Sequence, residues 1–103
     1  MPSKILFEIT TPLNVTVRTT IEYWSYLVSI KHRVMKNREE TVRNVLLEPD
    51  TIRKSRIDEN VFLYYKQEDR LYCVVARHEG QEGFLITTYP ADKVKEGDVI
   101  WTK

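Results

Sequence analysis

His32, Arg53, Thr87 and either Tyr65 or Tyr64 are the side chains in this sequence best able to handle a proton and an anionic oxygen together. Imidazole can take a proton from a hydroxyl, a phenol or alcohol can hydrogen-bond a leaving oxygen, and guanidinium can hold charge that builds on phosphorus. Around them stand Lys31, Lys54 and Arg56 as cations and Tyr64 and Tyr89 as aromatic surfaces. Arg forks onto phosphate oxygens, and aromatic rings stack on splayed RNA bases. These residue types fit metal-free cleavage of RNA, in which a base deprotonates the 2′-hydroxyl and cations stabilise the phosphorane. Each also has a plainer use. Charged loop residues are commonly solvated surface, and tyrosines on a sheet commonly pack with a wet hydroxyl.

The same inventory excludes other chemistries. His32 and His78 stand in no metal-ligand spacing. The single Cys73, set among valines, rules out an internal disulfide and a multi-cysteine metal site, and reads as a buried thiol. The three glycines, Gly80, Gly83 and Gly97, fall in turns and form no phosphate-cradling loop. Ser55 lacks the strand–turn–helix setting of a nucleophile elbow. No metal ion or cofactor is therefore expected. Net charge is +1, yet residues 31–56 carry eight Lys/Arg against four acids, while 57–103 carry six against nine. Such asymmetry marks an anion-binding side or, more commonly, a solvated helix surface.

The element expected to present Thr87 and Tyr89 is a hairpin over Leu71–Lys95, around which the chain is organised. An apolar run, Leu71–Ala76, ends in Arg77-His78; a polar, Gly-bearing turn follows; a second run ends in Thr87-Thr88-Tyr89 before Pro90 stops the pairing. Val61–Lys66 is the strand before it. Upstream, Lys4–Thr10 alternates with period 2, Thr11–Asn14 is a turn, and Val15 and Val17 give a short second strand. Thr19-Thr20-Ile21-Glu22 fits a capping box. It opens a helix whose stripe of Ile21, Trp24, Leu27, Val28 and Met35, widened by Tyr23, Ile30 and Val34, is expected to be deeply buried. His32 falls on the flank of that stripe, towards the border of the sheet. Asn37-Arg38-Glu39-Glu40 signals a second helix that buries Val42, Val45 and Leu46 and ends at Pro49. Asp50–Asn60 reads as a polar link holding Arg53 to Arg56. Val99-Ile100-Trp101 closes the chain, with Trp101 either sealing the core or serving an interface.

Alternation also sorts the faces of the central strands. Val61, Leu63, Tyr65, Leu71, Cys73, Val75, Arg77, Phe84, Ile86 and Thr88 are expected against the helices. Phe62, Tyr64, Lys66, Tyr72, Val74, Ala76, His78, Leu85, Thr87 and Tyr89 are expected on a functional face, unless a bulge swaps the two. The order ββααβββ predicts one α+β domain over 1–103, an antiparallel sheet with two helices packed on one face. No run approaches the roughly 20 apolar residues of a membrane span. The opening MPSKILFEIT lacks a signal peptide's apolar region, which places the protein in the cytoplasm and away from membranes.

Several of these segments also resemble a known group. Trp24…Lys31-His32, Glu48-Pro49-Asp50…Ile52-Arg53-Lys54-Ser55, Tyr64-Tyr65, Leu71–Val75 and Gly83–Pro90 are similar in order and local wording to small bacterial and phage proteins of the Barnase–EndoU–colicin–RelE-like nuclease superfamily. The likeness spans roughly residues 5–101. It departs at Thr88, where such proteins often carry alanine, and in the near-neutral charge, since RelE-type toxins are usually strongly basic. The resemblance implies a RelE/barnase-like fold and a metal-independent endoribonuclease, toxin-like or phage-related, working by general acid/base chemistry. His32, Arg53, Ser55, Tyr65 and Thr87 would be its working groups. RNA and an antitoxin-like protein are the partners it implies. The alternative is a non-catalytic RNA- or protein-binding module of the same fold.

Overall fold

The computed structural model describes residues 4–94 and 97–103. Met1–Ser3, part of the leader reading, and Lys95, the end of the hairpin stretch, lie outside the described residues. The chain runs β1 (Ile5–Thr10), β2 (Thr16–Thr20), α1 (Ile21–Tyr26), α2 (Glu39–Leu47), β3 (Thr51–Lys54), β4 (Val61–Gln67), β5 (Leu71–Glu79), β6 (Glu82–Pro90) and β7 (Asp98–Thr102). All seven strands form one sheet in the order β1-β2-β6-β5-β4-β3-β7. The α+β class is as expected, but ββααβββ undercounts the strands. β3 lies inside the supposed polar link, where a four-residue strand with Ile52 as its one fully buried side chain leaves too short a pattern to read. The sheet is also mixed, because β2 runs parallel to β6 over Thr16–Arg18 and Glu82–Phe84. Gly83 permits that approach: a Cβ there would stand 2.8 Å from the Arg77 carbonyl oxygen and 3.3 Å from Val15 and Val17.

The first helix is shorter than its apolar stripe implies. Thr20, not Thr19, caps it, with its hydroxyl accepting from the Tyr23 amide at 3.1 Å. After Tyr26 the coil widens to a π turn over Leu27–Lys31, closed by the His32 amide on the Leu27 carbonyl, and then tightens to a 3₁₀ turn at Arg33–Met35. Because the pitch changes twice, one stripe no longer faces one way. Trp24, Leu27, Val28 and Met35 are buried, whereas Ile21, Tyr23, Ile30 and Val34 are exposed. α2 starts after Asn37 with Arg38 at the cap position and no capping side chain, since Asn37 takes φ +66. Glu39 and Glu40 face the positive helix end instead, and the helix stops ahead of Pro49 as expected.

The two sheet faces are the reverse of the sequence expectation. The larger core joins Trp24, Leu27, Val28, Met35, Val42, Val45 and Leu46 from the helical segments to Ile52, Tyr64, Tyr72, Val74, Ala76 and Leu85 from the sheet. A second cluster, Leu63, Tyr65, Cys73 and Val75, fills the opposite face, under Ile86, Tyr89, Ala91 and Val94. Each alternation was right, but apolarity could not say which face takes the helices, because both are buried. A bulge in β6 adds a further exchange. Val75 pairs with Thr87 and Ala76 with Leu85, so Ile86 is the extra residue. Thr88 therefore turns to the helix side, and Thr87 and Tyr89 share the face of Val75 and Cys73. Trp101 packs against the larger core from the outer strand. Among the described residues no helix is long and apolar enough to cross a membrane.

Candidate functional site

Beyond Arg18 and Phe84 the parallel pairing of β2 and β6 ends, and the chain turns at Thr20 into α1. α1 and its π turn then lie beside the remainder of β6, fixed by the Tyr23 hydroxyl donating to the Ile86 carbonyl at 2.6 Å. Burial, with Tyr26 close by, holds the Tyr23 phenol above its ordinary range, so it stays a donor. Between helix and strand lies a cleft of about 520 Å³ lined by Tyr23, Tyr26, Leu27, Lys31, His32, Ile86 and Thr87. The π turn puts Lys31 and His32 on its wall, the kind of place where such a turn is often found. The His32 ring stands 5.7 Å from that of Tyr89, which follows Thr87 on the same sheet face. Among the described residues Thr87 Oγ1 is buried without a hydrogen-bond partner. Neither the Lys31 nor the His32 side chain enters a hydrogen bond or ion pair there. Lys31, His32, Thr87 and Tyr89 are thus the expected site residues that the fold brings together.

The other expected residues lie elsewhere. Across the sheet the register runs Thr87–Val75–Leu63–Arg53, so Arg53 is three strands from Thr87, about 14 Å at ordinary strand spacing. Buried Leu63 and Val75 stand between them. Arg53 Nη1 donates to the Gly97 carbonyl at 3.3 Å, on the β7 side, and its buried Nε has no partner among the described residues. Gly97 has φ +78, and a Cβ there would stand 2.5 Å from the Lys54 carbonyl oxygen, so the backbone closes tightly on β3. Ser55 Oγ accepts from the Ile57 and Asp58 amides and so holds the β3–β4 turn. Arg56 pairs with Asp98 at 2.9 Å. Tyr65 is buried in the second cluster, with Cys73 across from it and Tyr89 one strand further on.

Tyr64, expected to face RNA, lies wholly inside the larger core. Its hydroxyl sits 2.8 Å from His78 Nε2 and donates to Thr11 Oγ1 at 3.2 Å, and Thr11 Oγ1 also accepts from the Leu13 amide. His78 is stacked on Phe62, centroids 3.9 Å apart and planes 13° from parallel. Burial pushes the His78 imidazole down to about 4 and the Tyr64 phenol up to about 12. Both are therefore neutral near pH 7, and together they pin the β1–β2 turn to the centre of the sheet.

Tyr23 and Tyr26 are the cleft residues that the sequence did not assign to a site. Tyr23 was absorbed into an apolar stripe, and the signal against that was the crowding of the stripe itself, which is wider than one helix face can bury. Their rings lie 6.0 Å apart and tilted, both partly exposed. Past the cleft, exposed Arg33 and Lys36 border a smaller hollow with Val28 and Ser29. Among the described residues no three His, Cys, Asp or Glu side chains gather as a metal site would need. No family model, no curated protein and no solved structure matches the chain.

Proposed function

We propose that this protein is a metal-independent endoribonuclease of the RelE/barnase kind that cleaves single-stranded RNA in the cleft between α1 and β6. The observation that supports this is the meeting of His32, Lys31 and Thr87 around one cleft, with the Thr87 hydroxyl buried and unpartnered among the described residues. In this reading His32 takes the proton of the 2′-hydroxyl, whose oxygen attacks phosphorus. The P–O5′ bond breaks, leaving a 2′,3′-cyclic phosphate and a 5′-hydroxyl that receives a proton from the acid partner. Tyr89, whose ring lies beside the imidazole, takes that second role in this reading. Lys31 stabilises the charge on the phosphorane, and Thr87 hydrogen-bonds a non-bridging oxygen. Tyr23 and Tyr26 supply stacking surfaces, and Lys31, Arg33 and Lys36 carry the backbone past the cleft. A restraining, antitoxin-like protein and a cytoplasmic setting belong to the same proposal.

The test is cleavage of single-stranded RNA by the purified protein in EDTA. The expected products carry 2′,3′-cyclic ends, RNA with a 2′-deoxy group at the scissile position resists, and His32→Ala abolishes the reaction. Wild-type protein that binds RNA and never cuts it overturns the enzyme. It would leave the second reading, a non-catalytic RNA-binding module, which the distance of Arg53 from the cleft favours.

A further inference from the structure

We infer that Tyr23 is a positioning residue for the proposed reaction, its hydroxyl locking the helical segment that carries His32 to the strand that carries Thr87; this rests on the reading of the α1–β6 cleft as the site of RNA cleavage. Tyr23 is held at both ends. Its amide donates to Oγ1 of the capping Thr20 at 3.1 Å, and its hydroxyl donates to the Ile86 carbonyl at 2.6 Å. The second bond joins residues 63 positions apart in the chain. Tyr23 lines the cleft, yet the proton of its hydroxyl is committed to Ile86 rather than offered to a substrate.

The acceptor lies outside the regular ladder. Ile86 is the extra residue of the β6 bulge, opposite no residue of β5, and β2 has already left β6 at Phe84. A bulged residue drops out of strand pairing, so its carbonyl is open to a donor from α1. Thr87 is the next residue along β6, and the bulge decides which way it faces. On the other wall the chain runs from Tyr23 into the π turn, where the His32 amide bonds the Leu27 carbonyl at 2.8 Å and the imidazole comes to lie beside Tyr89. Trp24 and Leu27 hold α1 on the sheet through the larger core, but apolar packing has no direction. The Tyr23 bond has one, and it fixes how far α1 sits along β6. A shift of about 1 Å between reacting groups can cost about a hundredfold in rate, so losing this bond should reach the chemistry without removing any group that performs it.

The experiment uses Tyr23→Phe, which keeps the ring and removes the hydroxyl, with Arg53→Ala as the reference for a hydrogen bond lost outside the cleft. Single-turnover cleavage at saturating single-stranded RNA should fall about ten- to a hundredfold in Tyr23→Phe, while affinity for RNA blocked by a 2′-deoxy group stays within about twofold, because the stacking ring remains. In the free protein the nuclear Overhauser contact between the His32 and Tyr89 rings, 5.7 Å apart, should weaken in Tyr23→Phe and persist in Arg53→Ala. A Tyr23→Phe rate within about threefold of wild type overturns the positioning role. So does a rate loss matched by Arg53→Ala, which is a loss of stability alone. An equal loss of affinity also overturns it, because the hydroxyl would then be a contact to RNA. Wild type that cuts no RNA overturns the reading of the cleft, and the ring contact then decides the lock by itself: a contact unchanged in Tyr23→Phe overturns it.

Discussion

The two flanks of the sheet use the same kinds of side chain in opposite ways. On the β3–β7 flank Arg53 Nη1, Ser55 and Arg56 are tied to the Gly97 carbonyl, to two turn amides and to Asp98, with only Arg53 Nε left without a partner among the described residues. On the α1–β6 flank Lys31, His32 and Thr87 line a cleft, the His32 ring beside that of Tyr89 and Thr87 Oγ1 buried without a hydrogen-bond partner among the described residues. A polar group already bonded within the fold contributes to stability, and replacing its partner with a ligand must first break that bond. A buried group with no partner costs the fold about 1–3 kcal/mol, which a ligand that reaches it recovers. The contrast predicts where substitutions should be felt: in stability on one flank, in activity on the other.

The largest effect should come from setting His32→Ala against Arg53→Ala. If His32 is the general base, its removal should lower the cleavage rate about 10²–10⁴-fold with little change in melting temperature. Arg53→Ala, three strands away, should change the rate less than about threefold and lower stability by about 1 kcal/mol through the lost bond to Gly97. Single-turnover cleavage and thermal melts of the two variants decide it. A hundredfold loss in Arg53→Ala would break the comparison and return Arg53 to the active centre.

His78 sharpens the same contrast with the other histidine of the chain. Its folded value of about 4 lies below the 6.5 of a free imidazole, with burial as the cause. Between those values the unfolded chain binds a proton that the folded one refuses, so stability is full above pH 6.5 and falls as pH drops towards 4. The total loss is about 3 kcal/mol. Denaturant titrations across that window should show the slope, and His78→Phe should flatten it. A flat wild-type profile would mean that His78 is not held neutral inside the fold.

Much of this was legible in the sequence, and what was not has physical causes. The hairpin, the first strands, the stop at Pro49 and the α+β class follow from period-2 runs, turn residues and proline, all local signals. β3 was invisible because Ile52 is its one buried anchor, and a strand of that length is created by its neighbours β4 and β7 rather than by its own pattern. The faces were exchanged because the central strands are buried on both sides, which removes the polar face that alternation relies on. The π turn and the β6 bulge each insert a residue out of phase, and each moves a site residue: Lys31 and His32 in one case, Thr87 in the other. Arg53–Arg56 looked like a site because a run of cations was seen without its partners, which come from β7 and from turn amides.

A smaller stability effect is expected at Ser55→Ala. Its hydroxyl accepts from two amides of the β3–β4 turn, and losing it should cost about 1 kcal/mol by denaturant unfolding, with RNA cleavage unchanged. A fall in cleavage without a fall in stability would show that Ser55 acts on substrate.

Arg56→Ala should do least, and for that reason it divides the two flanks most cleanly. The Arg56–Asp98 pair is exposed on both sides, 71% and 67%, so water and salt screen it and its loss should cost no more than about 0.5 kcal/mol. Its value lies in RNA binding. A cation that touches a phosphate releases counterions, and each such contact adds about 0.7 to the slope of log affinity against log salt for a single strand. Lys31→Ala should therefore lower that slope by about 0.7, while Arg56→Ala leaves it in place, because Arg56 faces Asp98 rather than the cleft. Equal changes in slope for the two variants would mean that the strand runs over the β3–β7 flank, and the distinction between bonded and unbonded polar groups would no longer locate the site.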